Sequence, residues 1–174
     1  MKFGTKAIHA GVHPDPETGA IMTPIYQTST YVQRSPGDHK GYEYSRTHNP
    51  TRTQLQDALA ALENGKHGLA FASGMAAIDC IIKLLQPGDE VISTNDLYGG
   101  SYRIFTKVFA QYGIKFHFVP MHDMAAVQSA VTERTRLIWV ETPTNPLLNV
   151  IDIEAAARVA KQAGALLVVD NTFS

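Results

Sequence analysis

From residue 68 onward, short apolar runs alternate with stretches in which apolar side chains recur every three or four residues. The runs at 69–72, 90–93, 115–119, 136–140 and 166–169 have strand length and are rich in Val, Ile, Leu and Phe. Between them the spacing predicts helices over about 75–85, 101–111, 124–131 and 153–163, the first closed by Pro87-Gly88. The order β-α-β-α-β-α-β-α-β predicts an α/β fold with a largely parallel sheet and helices on both faces. Ahead of it, Asn49 is placed to cap a helix with Pro50 at its first position. Leu55, Leu59 and Leu62 follow at helical spacing, and Gly65 stands at the expected stop. Residues 1 to about 50 hold Pro14, Pro16, Gly19, Pro24, Pro36, Gly37 and Gly41 with few periodic apolar positions, which predicts an extended, turn-rich arm. Ile21, Ile25, Tyr26, Tyr31, Val32, Tyr42 and Tyr44 make that arm too apolar for a disordered tail, so it is expected to pack over its own body or over a second subunit.

Open parallel sheets bind ligands beyond the carboxyl ends of their strands. Here those ends carry Ser73-Gly74-Met75, then Asn95-Asp96-Leu97-Tyr98-Gly99-Gly100, then Glu141-Thr142-Pro143-Thr144-Asn145-Pro146, then Asp170-Asn171-Thr172. In Phe71-Ala72-Ser73-Gly74-Met75-Ala76-Ala77-Ile78 an apolar run turns through Ser-Gly into a helix start, whose free N–H groups suit a phosphate; the same spelling also serves a plain tight turn. Together the ends bring a phosphate cup, an aromatic ring, an amide and a carboxylate to one edge. No GxGxxG follows a strand and no Gly-Lys-Ser/Thr occurs, which argues against dinucleotide and P-loop nucleotide sites.

Composition narrows the classes further. A chain of 174 residues with 44% hydrophobic content can bury a sizeable core. Its 15 basic and 16 acidic residues are interspersed, so no footprint for nucleic acid or an anionic membrane exists. No apolar h-region of signal-peptide length follows Met1, which predicts a cytoplasmic location. Cys80, the lone cysteine, excludes an internal disulfide and a thiolate zinc cluster and is expected to be a buried small hydrophobe. None of the seven histidines forms an i, i+4 helical pair or stands with the Cys or carboxylate partners that zinc sites usually show, so no metal site is expected.

In order along the chain, Tyr44-Ser45-Arg46-Thr47-His48-Asn49-Pro50-Thr51, Phe71-Ala72-Ser73-Gly74-Met75-Ala76, Tyr98-Gly99-Gly100-Ser101-Tyr102-Arg103, Glu141-Thr142-Pro143-Thr144-Asn145-Pro146 and Val168-Val169-Asp170-Asn171-Thr172-Phe173 resemble one family, the pyridoxal-phosphate enzymes of cysteine and methionine metabolism. Within it the cystathionine γ-lyase and γ-synthase branch is the most similar. The resemblance implies a fold-type I large domain preceded by the arm, with 1–57 making subunit contacts and 58–174 beginning the cofactor-binding domain. It implies pyridoxal 5'-phosphate as cofactor, with Ser73, Gly74 and Met75 at its phosphate, Asn145 at the ring hydroxyl, Asp170 at the ring nitrogen and Thr172 beside it. Tyr98 would stack on the ring and exchange protons with substrate. Tyr44 and Arg46 would reach the phosphate from a neighbouring subunit of a homo-oligomer, a dimer of dimers, with Tyr44 also catalytic. Arg103 fits either a substrate carboxylate or a helix end. Read without the family, Asp170 is a helix cap or surface acid, Asn145 an Asn-Pro turn, Tyr98 a gap filler and Arg46 a surface arginine.

The activity implied is γ-elimination or γ-replacement on small amino-acid substrates. Cystathionine would be cleaved to cysteine, 2-oxobutanoate and ammonia, or made from an activated homoserine and cysteine. Methionine γ-lyase, cystathionine β-lyase and sulfhydrylase activities share these motifs, and a silent oligomerising module is the alternative of another class. The family's cofactor-binding lysine lies in a Ser-x-Thr-Lys stretch downstream of the aspartate strand, and no lysine here matches it. The resemblance therefore implies the N-terminal part of a longer protein, with the 174 residues alone inactive.

Overall fold

The computed structural model describes residues 1–174, which divide into two compact units, Met1–Ala72 and Ser73–Ser174. In the first unit, α1 (Phe3–His9) and α2 (Pro50–Leu62) are joined by the arm. Asn49 caps α2 as expected: its Oδ1 accepts from the Thr51 N–H at 2.9 Å, while its Nδ2 donates to the Tyr26 carbonyl at 3.0 Å. Thr51 ties down the arm too, donating from Oγ1 to the Pro24 carbonyl at 3.1 Å and accepting from the Tyr26 N–H at 3.0 Å. The left-handed residue ending α2 is Asn64, φ 54°, rather than Gly65, whose N–H returns to the Ala60 carbonyl at 2.7 Å.

Two expectations for this unit are corrected. Residues Phe3–His9 are helical rather than extended; α1 buries no residue and has no side-chain cap, so its sequence carries no apolar stripe by which to recognise it. It is tied to the end of α2 by Lys6 Nζ, which donates to Asn64 Oδ1 at 2.7 Å, and the following Gly11, φ 70°, passes so close to α2 that a Cβ there would lie 2.7 Å from the Ala58 nitrogen. Residues 69–72 are not a strand, because no neighbouring strand pairs with them; the Ala70 N–H donates instead to Gln56 Oε1 at 3.0 Å. No residue of Met1–Ala72 is buried, and the leucine stripe of α2 stands open, Leu55 at 51% and Leu59 at 49% exposure.

The second unit is the α/β body. Its strands β1 (Glu90–Thr94), β2 (Lys115–Val119), β3 (Thr135–Glu141) and β4 (Leu166–Asp170) form one sheet in the order β2-β1-β3-β4, every pairing parallel. Helices α3 (Gly74–Ile82), α4 (Gly99–Arg103), α5 (Met124–Ser129) and α6 (Ile153–Ala163) alternate with them. Beyond α4 the chain passes through a π turn, Ile104–Val108, and a 3-10 turn, Phe109–Tyr112, where one regular helix was expected.

Successive strand residues face opposite sides, so β1 and β3 feed two cores at once. Val91, Leu137 and Trp139 meet Ile78 and Ile82 of α3 and Phe105 and Phe109 beyond α4. Ile92, Ile138 and Val140 meet Val127 of α5 and Ala156 and Val159 of α6. Both faces of the sheet are thus covered, which is what the near-continuous apolar runs demand. Cys80 corrects a further expectation, being exposed: it lies two residues from both Ile78 and Ile82, on the side of α3 away from their buried stripe. No helix is long and apolar enough to cross a membrane.

Candidate functional site

At the carboxyl ends of β1, β3 and β4 the second unit encloses a cavity of about 350 Å³. Its lining includes Ser73, Gly74, Met75, Tyr98, Asn145, Asp170 and Thr172, together with Glu141. A larger cavity of about 710 Å³ lies wholly within Met1–Ala72, lined by His13, Tyr26, Tyr31 and Arg34 among others, and contains none of the candidate site residues.

The cavity's chemistry begins at α3. Ser73 is its N-cap, Oγ accepting from the Ala76 N–H at 3.2 Å, and the Ser73 carbonyl receives the N–H groups of Ala76 and Ala77. The N–H groups of Gly74 and Met75 find no acceptor in the chain. A Cβ built on Gly74 would meet nothing within 4 Å, so the backbone here faces open space. Two free N–H donors at a helix start, approachable without a side chain in the way, are an anion-binding arrangement.

Tyr98 precedes α4 and is half-exposed. Its ring lies against Gly100 and Met75: a Cβ on Gly100 would stand 2.3 Å from Tyr98 Cε1 and 2.9 Å from Met75 Sδ. The Gly-Gly pair after Tyr98 therefore lets the ring lie down on the helix start. Asp170 ends β4 with one oxygen engaged, Oδ1 accepting from the Thr172 N–H at 3.1 Å and hydroxyl at 2.6 Å, while Oδ2 has no partner. Asn145 lies in the loop after β3 with its side-chain amide free of hydrogen bonds within the chain.

Glu141, the last residue of β3, pairs in register with Asp170 and is buried, 4% exposed. Both its oxygens accept from the Tyr98 N–H, at 3.0 and 2.9 Å, and Oε1 also accepts from the Asn145 N–H at 3.0 Å. Burial pushes its carboxyl above the usual glutamate range, with the charges of Asp170 and Asp96 adding to the push and the two N–H groups opposing it. The sequence reading gave Glu141 no role. The signal was present in its position, a carboxylate closing an apolar strand just as Asp170 does, but an acid at a strand end ordinarily reads as solvated.

The remaining residues lie elsewhere. Tyr44 and Arg46 stand together in the first unit, the Arg46 guanidinium 4.9 Å from the centre of the Tyr44 ring. Arg103, in the last turn of α4, is exposed and does not line the cavity.

A family model described as Cys/Met metabolism PLP-dependent enzyme, PLP being pyridoxal phosphate, matches residues 4–174. A probable cystathionine gamma-synthase of Herpetosiphon aurantiacus is 56% identical over 172 residues, 99% of this chain and 54% of the relative. A cystathionine beta-lyase of Coxiella burnetii is 53% identical over 98% of this chain and 44% of its own length. The crystal structure of a cystathionine gamma-lyase from Lactobacillus plantarum, complexed with L-serine, superposes with a TM-score of 0.93 at 46% identity, covering 98% of this chain and 45% of that one. The chain spans about half the length of the curated relatives it matches. With the motifs in order, the parallel sheet and the family match running from residue 4 to residue 174, this chain belongs to the pyridoxal-phosphate-dependent enzymes of cysteine and methionine metabolism.

Proposed function

We propose that these residues form the N-terminal half of a transsulfuration enzyme that performs γ-elimination or γ-replacement with cystathionine as substrate or product. The observation that carries this reading is the convergence, in one cavity, of two unpaired N–H groups, a ring lying on a helix start, a free amide and a carboxylate with one unengaged oxygen. These groups fit the family's cofactor in kind. The phosphate matches the N–H groups of Gly74 and Met75 with Ser73 beside them, the ring face matches Tyr98, the ring hydroxyl Asn145 and the ring nitrogen Asp170. When bound, pyridoxal phosphate supplies an electron sink for the Cα of an amino acid.

The chain's own part is orientation and proton control. Asp170 Oδ2 would face the ring nitrogen and favour its protonated form, while Thr172 holds the other oxygen through its N–H and hydroxyl. Tyr98 would cover the ring and would offer its hydroxyl for proton exchange with substrate. Tyr44 and Arg46 reach the phosphate from a neighbouring subunit of a homo-oligomer, a dimer of dimers, where Arg46 supplies a charged fork of donors. Supporting this, the first unit has no buried residue and leaves Ile21, Met22, Ile25 and Val32 at 70% exposure or more. Residues 1–57 then serve subunit contacts, residues 58–174 begin the cofactor domain, and the enzyme works in the cytoplasm. Arg103, outside the cavity, is left the role of a cation near its helix end.

The relatives' names divide among γ-synthase, β-lyase and γ-lyase, so substrate choice needs direct assay. Parallel reactions of the full-length protein with cystathionine, methionine, and an activated homoserine plus cysteine are expected to favour one of the two cystathionine reactions. Turnover of methionine alone assigns methionine γ-lyase, turnover of an activated homoserine only with sulfide assigns a sulfhydrylase, and inertness in all of these assigns a binding module.

A further inference from the structure

One buried side chain connects the two loops that carry Tyr98 and Asn145. The loop from β1 to α4 has no side-chain cap of its own at Tyr98, and the N–H there is received by Glu141 from the end of β3. The same carboxylate receives the Asn145 N–H, at the start of the loop from β3 to α6. A second carboxylate works in the opposite direction. Asp96, in the β1–α4 loop, accepts through Oδ2 from the Thr144 hydroxyl, from the Leu147 N–H at 3.1 Å and from Asn149 Nδ2 at 3.3 Å. The loop carrying Tyr98 is thus held by Glu141 from the end of β3, the loop after β3 by Asp96 from the β1–α4 loop, and Glu141 is the buried member of the pair, lining the same cavity.

An ordinary core position after an apolar strand would take an apolar residue, and keeping a carboxylate without a cation beside it is costly. Within this chain no salt bridge reaches Glu141, and its charge is compensated by these backbone donors. We propose that Glu141 is a positioning residue that fixes the Tyr98 ring and the Asn145 amide relative to one another, so that the cavity presents both to its cofactor in a preset spacing. It acts through those two residues and need not touch substrate. This rests on the reading of Tyr98 and Asn145 as cofactor contacts.

The test uses the full-length protein with Glu141→Gln, which keeps the shape but leaves one oxygen for both N–H donors and turns an NH2 group toward the Tyr98 N–H where Oε2 now accepts, and with the exposed Glu133→Gln as control. Two readouts are taken on the apo-protein: hydrogen exchange of peptides covering 97–103 and 144–148, and the dissociation constant for pyridoxal phosphate from its visible absorbance. Glu141→Gln is expected to speed exchange in both peptides about tenfold or more, leave 115–119 unchanged, and weaken cofactor binding about tenfold, while the control changes neither. Exchange unaltered in both peptides overturns the proposal. So does a loss of thermal stability with cofactor affinity within twofold of wild type, which assigns Glu141 a structural role only. If the unaltered protein fails to take up the cofactor, the functional reading falls, and faster exchange at both loops still establishes the clasp. Should the Gln variant not fold, Glu141→Asp, one methylene short of both donors, carries the same comparison.

Discussion

Gly100→Ala separates the stability of the fold from the geometry of the site, because it pushes the two in opposite directions. The new methyl would stand 2.3 Å from Tyr98 Cε1, so the ring must retreat to an ordinary contact of 3.4 Å or more, a shift of about 1 Å. Met75 Sδ, at 2.9 Å, can give way because its side chain is unbranched. Tyr98 is 49% exposed, so its ring moves outward without disturbing the core. Meanwhile Ala replaces Gly in the first turn of α4 at a backbone conformation open to any residue, which restricts the unfolded chain and stabilises by about 0.4–1 kcal/mol. The apo-protein should therefore be as stable as wild type or slightly more so. A displaced ring forfeits stacking worth about 0.5–1.5 kcal/mol, a rise of roughly two- to tenfold in the dissociation constant for pyridoxal phosphate. Thermal melts of the apo-protein and an absorbance titration of the full-length enzyme give both numbers. Unchanged cofactor affinity would refute the stacking role of Tyr98, and a large loss of stability would refute the claim that only the ring is displaced.

Asp170→Asn keeps the atoms that Thr172 contacts but removes the charge; a charged hydrogen bond of about 1.5–3 kcal/mol predicts cofactor binding weakened roughly ten- to hundredfold, checked by the same titration. Ser73→Ala removes the cap of α3 and should cost about 1 kcal/mol in denaturant unfolding. At the opposite end of the sheet, buried Glu90 accepts from His117 Nε2 and the Thr132 hydroxyl, both at 2.9 Å. Its burial disfavours the charge, but these hydrogen bonds and the nearby His117 and Lys115 prevail and hold its carboxyl below the usual range. A depressed folded-state value means stability that is present above the unfolded-state range and lost as pH falls through the folded one. Glu90→Gln should therefore lower the melting temperature at neutral pH, with the difference closing in acid; a gap independent of pH would contradict this.

Where packing followed periodicity, the sequence was a good guide. The apolar runs of β1 to β4 form a sheet whose two faces are covered by helical segments, and α6 spans Ile153–Ala163 as its spacing predicts. Pattern failed where no pattern exists: α1 buries nothing, and the run at 69–72 has strand composition without a partner edge. The break of the helix after Arg103 into π and 3-10 turns leaves Phe105 and Phe109 four residues apart on the buried side, so hydrophobic spacing could not reveal it. At the site, Tyr98, Asn145, Asp170 and Thr172 were placed on one edge by strand ends and motifs, whereas Ser73, Gly74 and Met75 were placed by the helix-start motif alone, since the strand expected before them does not form. Glu141 was not, because its partners are backbone N–H groups in loops 43 and 4 residues away, and backbone donors leave no mark in a sequence.

The central claim is that the cavity at the ends of β1, β3 and β4 receives pyridoxal phosphate. Its most direct test is a crystal structure of the full-length protein grown with the cofactor. The account predicts the phosphate on the Gly74 and Met75 N–H groups, Tyr98 over the ring and the ring nitrogen against Asp170 Oδ2. A ring bound elsewhere, or one turned with its nitrogen away from Asp170, would contradict it.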